Sequence, residues 1–153
     1  MIRCENSFTP YFFGKATPYL IVGFEMIRIL CTAAKLGIDV RIMTPYIGDK
    51  WYVHDMTRSY YEILLEAGVK IFEYTPGFIH SKSFVVDDTY ATIGSINLDF
   101  RSFNLNFECG VWMYKNDAIM DMKEDFLQTQ TLCKEITLEE CQNFPWHYKL
   151  RIL

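Results

Sequence analysis

The sequence predicts an α/β fold, in the form of an α/β/α sandwich around a mixed, largely parallel sheet. A helix, a glycine turn and a strand follow one another twice, in residues 24–44 and 59–74. Repeated units of this kind place strands parallel and lay the helices against the sheet. Because 50% of the 153 residues are hydrophobic, the chain can also bury one sizeable core.

The first unit begins with a helix over residues 24–36. Its apolar residues recur at helical spacing and are expected to form one packed face: Phe24, Ile27, Cys31 and Ala34. Gly37 suits the position after the last helical turn, and the β-rich run at 38–44 predicts a strand. The second unit repeats this order. Its helical stripe is Tyr61, Leu64 and Leu65, followed by Gly68 and a strand over 69–74.

The second half of the chain starts with a predicted hairpin over residues 82–94. Its two β-rich runs are joined by Asp87-Asp88-Thr89, which has the polar chemistry of a turn. After a loop, residues 107–114 predict another strand. A helix is then expected over 116–134, capped by Asn116 or Asp117, with a face made by Ile119, Met122 and Phe126. Thr137 and Glu140 fit a capping box for a short last helix.

The domain organisation is simple because no low-complexity tract or linker divides the chain. Residues 1–16 have no clean period and are expected to form an irregular N-terminal segment. Residues 17–153 are expected to form a single domain.

Composition limits the partners. The net charge of −4 and the pI near 5.3 give no electrostatic reason to expect nucleic acid, which clustered Lys and Arg usually bind. No apolar stretch approaches the ~20 residues of a membrane-spanning helix, and no signal peptide is evident. The chain is therefore expected to be soluble.

The cysteines predict a reduced protein, because they are five in number and form no C-x-x-C pair. Cys133, Cys141 and His147 are too loosely spaced to indicate a zinc site. No metal and no cofactor is predicted.

Chemistry is concentrated in residues 80–108. If the residues from His80 onward enter a strand, a period of two directs His80 and Lys82 to the same point. An imidazole there can act as nucleophile or base, and an ammonium can stabilise phosphoryl oxygens. Asp87 has the opposite parity, so we assign it to the turn, where it organises backbone N–H groups or an ion pair.

The segment Gly94-Ser95-Ile96-Asn97 has the form of a phosphate-binding turn. Gly94 permits close backbone approach, while the Ser95 hydroxyl and the Asn97 amide can donate to oxyanions. Glu108 is expected to begin the next strand, where a buried carboxylate needs a partner. His80 is the candidate for that partner.

The order and spacing of these residues resemble the HKD motif of the phospholipase D superfamily. The pattern is His-x-Lys, then Asp after four residues, then Gly-Ser-x-Asn after six more. The segments "GSINLDFRSFNLNFE" and "TRSYYEILLEAGVKIFEYTPGFIH" are similar to the second catalytic half of bacterial cardiolipin synthases, and the resemblance covers residues 17–142. It implies the α/β/α sandwich and a metal-free phosphatidyl transfer on phosphatidylglycerol at an anionic membrane surface.

The resemblance also implies roles for the motif residues. His80 would attack or protonate at phosphorus. Lys82, Ser95 and Asn97 would hold the non-bridging oxygens within the turn that Gly94 begins. Glu108 would orient the histidine, and the motif residue Asp87 would be mainly structural. The product would be cardiolipin, formed through a phosphohistidine intermediate.

That chemistry needs two HKD motifs, and this sequence has one. Neither His54, expected in a loop, nor His147 has a Lys two residues on and a following Gly-Ser-x-Asn. A second half on another chain, or a homodimer with His80 on either side of the phosphate, would supply it. A homodimeric phosphodiesterase or nuclease and a non-catalytic half-domain therefore remain alternatives.

Aromatic residues between positions 46 and 61 have two interpretations. They either surround the pocket mouth and seat lipid head groups, or they belong to the core: Tyr46, Trp51, Tyr52, Tyr60 and Tyr61. The basic "WHYKLRIL" tail is too short to decide whether it lies on a membrane.

Overall fold

The computed structural model describes residues 11–144. Its strands are β1 (Phe12–Ala16), β2 (Leu20–Ile21), β3 (Asp39–Pro45), β4 (Lys70–Tyr74), β5 (Ser83–Val86), β6 (Tyr90–Gly94), β7 (Leu98–Asp99), β8 (Gly110–Tyr114) and β9 (Cys133–Ile136). Its helices are α1 (Phe24–Lys35), α2 (Trp51–Ser59), α3 (Tyr61–Glu66), α4 (Phe100–Asn104), α5 (Ala118–Gln130) and α6 (Leu138–Gln142).

Seven strands form one mixed sheet in the order β8-β6-β5-β1-β3-β4-β9, and β2 and β7 form a separate parallel pair. The α/β class is confirmed. The expectation of a largely parallel sheet is wrong in detail, because only β1, β3 and β4 run parallel and the other four neighbouring pairs are antiparallel. The β5–β6 hairpin and β8 extend the sheet with antiparallel strands on one side of the parallel centre, and β9, which follows α5, does so on the other side.

Strand β1 corrects the predicted boundary at residue 16. It pairs with β3 on one side and with β5 on the other, so it lies inside the sheet. Residues 12–16 therefore belong to the domain rather than to an irregular segment. The prediction for residues 1–10 falls outside the described residues, as do Cys4, His147 and the basic tail.

Helices cover both faces of the sheet, as a sandwich requires. Along β3, Val40 and Ile42 belong to a core cluster with α1, α3 and α6, whereas Met43 belongs to a second cluster with Phe126 of α5. Successive residues of a strand point to opposite faces, so the two clusters lie on opposite sides of the sheet.

The two predicted glycine turns are confirmed. Gly37 and Gly68 have φ values of 91° and 95°, in the left-handed region where a Cβ atom is disfavoured. The predicted face of α1 is wrong at its first residue, because Phe24 is exposed. Ile27 is buried as predicted, and Leu30, which was not predicted, is buried with it.

The C-terminal elements follow the prediction with one correction. Ile119 and Phe126 of α5 are buried as expected, and Thr137 and Glu140 form the capping box of α6. However, α5 ends at Gln130, and the last two residues of the predicted helix, 133 and 134, belong instead to β9 at the edge of the sheet. No helix between residues 11 and 144 combines the length and apolar character needed to cross a membrane.

Candidate active site

The predicted site residues other than Asp87 meet at the end of the sheet where β5 begins and β6 ends. In the β5–β6 ladder Ser83 lies opposite Ile93, and the Gly94 N–H donates to the Lys82 carbonyl at 3.2 Å. The hairpin therefore brings the His80–Lys82 segment beside the turn that follows Gly94, although thirteen residues separate His80 from Gly94 in the chain.

Gly94 is required by a close backbone approach. It lies opposite Gly110 of β8, and a Cβ atom on Gly94 would come within 2.3 Å of the Cys109 carbonyl oxygen. The next residue, Ser95, donates its N–H to the same carbonyl at 2.8 Å. The predicted reason for a glycine at this position is confirmed.

His80 and Lys82 are in direct contact. The Lys82 Nζ lies 3.0 Å from the His80 Nε2 and donates to the His80 carbonyl oxygen at 3.0 Å. The predicted pairing of the two side chains is therefore correct. The strand invoked for it begins later than predicted, at Ser83, so both residues precede β5. Because an ammonium group only donates, Nε2 has to accept this bond, which requires the tautomer that carries its proton on Nδ1.

Glu108 takes a different partner from the predicted one. Its Oε2 accepts a hydrogen bond from the Ser95 hydroxyl, and its Oε1 accepts one from the Asn106 amide at 3.3 Å. These hydrogen bonds, that from Ser95 first, lower the pKa of the Glu108 carboxyl. Among the described residues no hydrogen bond joins Glu108 to His80, so the expected pair is wrong within one chain. Glu108 also precedes β8 instead of beginning it.

The predicted phosphate-binding turn is held by residues that the sequence did not single out. Ser102 of α4 accepts the Asn97 N–H at 3.2 Å, and its own N–H donates to Asp99 at 2.6 Å, which caps the helix. The Asn97 side-chain oxygen is buried without a partner in the described part of the chain. The turn is thus fixed through its backbone, while the Asn97 amide oxygen retains an unused capacity to accept a hydrogen bond.

Asp87 lies at the opposite end of β5 from Lys82. Its φ of 49° places it in the hairpin turn, where its Oδ1 accepts the Phe12 N–H at 2.6 Å. This agrees with the predicted turn role and separates Asp87 from the reacting groups.

Lys15 is a site residue that the sequence prediction missed. Its side chain is only 5% exposed, and its Nζ donates to the Ile96 carbonyl in the turn at 3.4 Å. Burial, with the Lys82 charge as a second cause, lowers the pKa of Lys15 to about 8. A single cation inside the apolar strand segment "FFGKA" was the available signal. Lys82 responds in the same direction, because burial lowers its pKa against the charges of Glu108 and Asp99.

Beside the turn lies a mainly apolar cavity of about 430 Å³ between α1 and the sheet, and Lys15 and Ile96 form part of its wall. His54 does not contribute a second centre. It lies in α2 rather than in a loop, and burial lowers the pKa of its ring. Within residues 11–144 no group of three or more His, Cys, Asp and Glu side chains is arranged to hold a metal ion.

Solved structures with this architecture define the class of fold. Nuc from Salmonella typhimurium, described as a phospholipase D family member, superposes with a TM-score of 0.68 at 17% identity, covering 82% of each chain. Phosphatidylserine synthase from Haemophilus influenzae superposes with a TM-score of 0.69 at 17% identity, covering 90% of this chain and 37% of that one. The fold is that of phospholipase D-like proteins.

Sequence comparison specifies the family. Residues 11–130 match the model of the family described as "Cardiolipin synthase, PLD-like domain", and the chain belongs to that family. It is 42% identical over 134 residues to a cardiolipin synthase of Halalkalibacterium halodurans, and 45% identical over 126 residues to an uncharacterized protein of Streptococcus mutans. These matches cover 88% and 82% of this chain but 27% of each relative. The chain thus spans about a quarter of these relatives' length.

Proposed function

We propose that this chain is one catalytic half of a cardiolipin synthase-like phosphatidyltransferase. The observation that carries the proposal is the contact of 3.0 Å between Lys82 Nζ and His80 Nε2, placed beside Ser95 and Asn97 on one turn. A ring nitrogen with a lone pair, an ammonium group and small polar donors are the groups that phosphoryl transfer through a histidine needs.

In the first step, the phosphate of phosphatidylglycerol binds at the turn, and its oxygens attract the Lys82 ammonium away from Nε2. Nε2 then forms a bond to phosphorus, while the bond from phosphorus to the glycerol oxygen breaks. The departing oxygen takes a proton from a second histidine. Lys15, buried below the turn, adds positive charge toward the phosphate whenever it is protonated.

In the second step, the second histidine removes a proton from the hydroxyl of another phosphatidylglycerol. That oxygen bonds to phosphorus as the bond from phosphorus to Nε2 breaks, which gives cardiolipin and restores His80. The second histidine has to come from another HKD half, either on a partner polypeptide or in a second copy of this chain.

A homodimeric phosphodiesterase is the second candidate. Its support is the alignment with Nuc, which covers 82% of each chain. Nuc is therefore a chain of similar length with the same fold, and the alignment leaves no second half of this size in it. Low identity limits that likeness to the fold, so the synthase-like proposal, supported by family membership and by relatives above 40% identity, comes first.

The test uses a substrate for which a single HKD half should be sufficient. The substrate is a phosphatidyl diester of p-nitrophenol. Its leaving group departs as the nitrophenolate anion without a general acid, so His80 alone should complete the first step. We expect a stoichiometric burst of nitrophenolate and a phosphatidyl adduct on His80 in the mass spectrum. His80→Ala and Lys82→Met should each reduce the rate of the nitrophenolate burst by about 10³-fold or more.

Lys35→Met is the matched control, because Lys35 is exposed at the end of α1, and it should leave the burst unchanged. A burst that persists in His80→Ala, or no adduct from folded wild-type protein, would exclude the proposal. Turnover of phosphatidylglycerol that rises faster than linearly with protein concentration would then identify the second half as another copy of the chain.

A further inference from the structure

A group of exposed aromatic and aliphatic side chains borders the candidate site. We define the aromatic rim as residues 46–52, in which the exposed apolar side chains are Tyr46, Ile47, Trp51 and Tyr52. Trp51 is 77% exposed, and its ring meets that of Tyr52 edge to face at 5.8 Å. By contrast Tyr61 is fully buried, so the two interpretations left open by the sequence apply to different residues.

The aromatic rim leaves the sheet at the same edge as the segment that carries His80. The rim follows β3 and the His80 segment follows β4, and these strands are parallel neighbours whose C-terminal ends lie side by side. The Tyr46 N–H donates to the Tyr74 carbonyl at 3.0 Å, which joins the starts of the two segments. A surface that touches the rim therefore meets the same end of the sheet as His80.

Two contacts hold the rim in one conformation. A Cβ atom on Gly48 would come within 2.7 Å of the His54 Cβ, so the loop packs directly on α2. The Tyr19 hydroxyl donates to Asp49 at 2.8 Å, which ties the loop to the segment before β2. The exposed rings are thus presented by the first residues of α2 and by a loop packed on that helix, although exposing them to water is unfavourable.

The side chains of the rim match a lipid interface. Trp and Tyr combine an apolar ring with one polar N–H or O–H group, which suits the boundary between hydrocarbon and head groups. The adjacent Asp49 and Lys50 cancel in charge, so attraction to a bilayer would depend on apolar contact rather than on lipid charge. A lipid-transferring site must also reach substrates that reside in a bilayer.

We propose that the aromatic rim inserts into the head-group region of a lipid bilayer and holds the His80 edge of the sheet at the membrane surface. This inference rests on the proposed function for its choice of a bilayer as the occupant. Other occupants, such as a second copy of the chain, are outcomes that the experiment separates.

The test compares two tryptophans of similar exposure. Trp51 belongs to the rim, whereas Trp112, 64% exposed, lies in β8 opposite Thr92, on the face of the sheet. We expect Trp51→Ala to weaken the partitioning of the full chain into phosphatidylcholine and phosphatidylglycerol vesicles by about tenfold or more. Trp112→Ala should change it by less than about twofold.

Two further readouts sharpen the comparison. With Trp112 and Trp146 replaced by Phe, emission from Trp51 should shift to the blue and be quenched by brominated lipids when vesicles are added. The ratio of wild-type to Trp51→Ala binding should stay constant from about 0.1 M to about 1 M salt, over which charge interactions are screened. Ile47→Ser serves as a second rim variant.

Equal vesicle binding by wild-type, Trp51→Ala and Ile47→Ser proteins would overturn the inference. So would a wild-type dimer that Trp51→Ala dissociates without any effect on vesicles, because the rim would then be a protein interface. A water-soluble, short-chain nitrophenyl diester separates the two proposals. Trp51→Ala should keep the wild-type burst on it, whereas loss of that burst in wild-type protein would refute the chemistry and leave vesicle binding as an independent result.

Discussion

Two clusters of charged and polar side chains at the same end of the sheet are built in opposite ways. In the first, the fully buried Glu73 accepts two hydrogen bonds from Arg58, at 2.8 and 2.7 Å, and a third from Tyr61 at 3.1 Å. The Tyr61 hydroxyl also bonds Thr44 at 2.6 Å. Both carboxylate oxygens have partners, and a buried charge is tolerated only when it is paired in this way.

The second cluster, at His80, is open. His80 and Ser95 are exposed, and the Asn97 side-chain oxygen has no partner among the described residues. The Lys82 ammonium contacts the Nε2 atom of His80, which accepts a hydrogen bond but carries no negative charge. The Glu73 cluster therefore holds β3, β4 and the helices together, whereas the His80 cluster keeps exposed side chains that a ligand can contact.

The largest effect on stability is expected from opening the closed cluster. Arg58→Met leaves Glu73 buried without its cation, so the free energy of unfolding should fall by about 3–5 kcal/mol. Chemical denaturation measures the loss. The double variant Arg58→Met/Glu73→Leu is the control, because replacing both partners should restore much of the stability. A loss below about 1 kcal/mol in the single variant would remove the distinction between the two clusters.

Lys15 combines features of the two clusters. It is buried like Glu73, but its ammonium makes one long hydrogen bond, of 3.4 Å to the Ile96 carbonyl, among the described residues. Its pKa is lowered to about 8, below the ~10.4 of an unfolded lysine. Between these values the unfolded chain binds more protons, so the free energy of unfolding should rise with pH from about 8 to about 10.4, by roughly 3 kcal/mol.

Lys15→Met should remove this rise and be more stable than wild type at pH 7, since no buried ammonium then has to be desolvated. Lys35→Met should keep the rise, because its side chain is exposed. Denaturation curves measured across this pH range give the comparison. Parallel curves for wild type and Lys15→Met would contradict the lowered pKa.

The smallest effect on stability is expected at the open cluster. His80→Ala removes an exposed ring and one hydrogen bond from Lys82, so the free energy of unfolding should change by less than about 1 kcal/mol. The same variant should lose the nitrophenolate burst. Destabilisation by more than about 2 kcal/mol would mean that His80 supports the fold, and the contrast with Glu73 would fail.

Several elements could be predicted because their signals are local. Gly37 and Gly68 end helices, Asp87-Asp88-Thr89 turns a hairpin, and Thr137 with Glu140 caps α6, each within a few residues of chain. The motif spacing likewise located the site, because a hairpin brings His80 to Gly94 whatever surrounds it. Local geometry of this kind depends on adjacent residues and is therefore legible in one sequence.

Only the tertiary structure decided which residues those local pieces meet. The strand Phe12–Ala16 has no strong period, yet pairing with residues 39–43 and 83–86 makes it central and buries Lys15. Glu108 binds Ser95 instead of His80 because β6 and β8 meet at Gly94 and Gly110. Trp51 and Tyr61 have similar chemistry, but one is exposed and the other buried. Sequence determines the turns and the reactive groups, while burial and partners follow from packing between segments far apart in the chain.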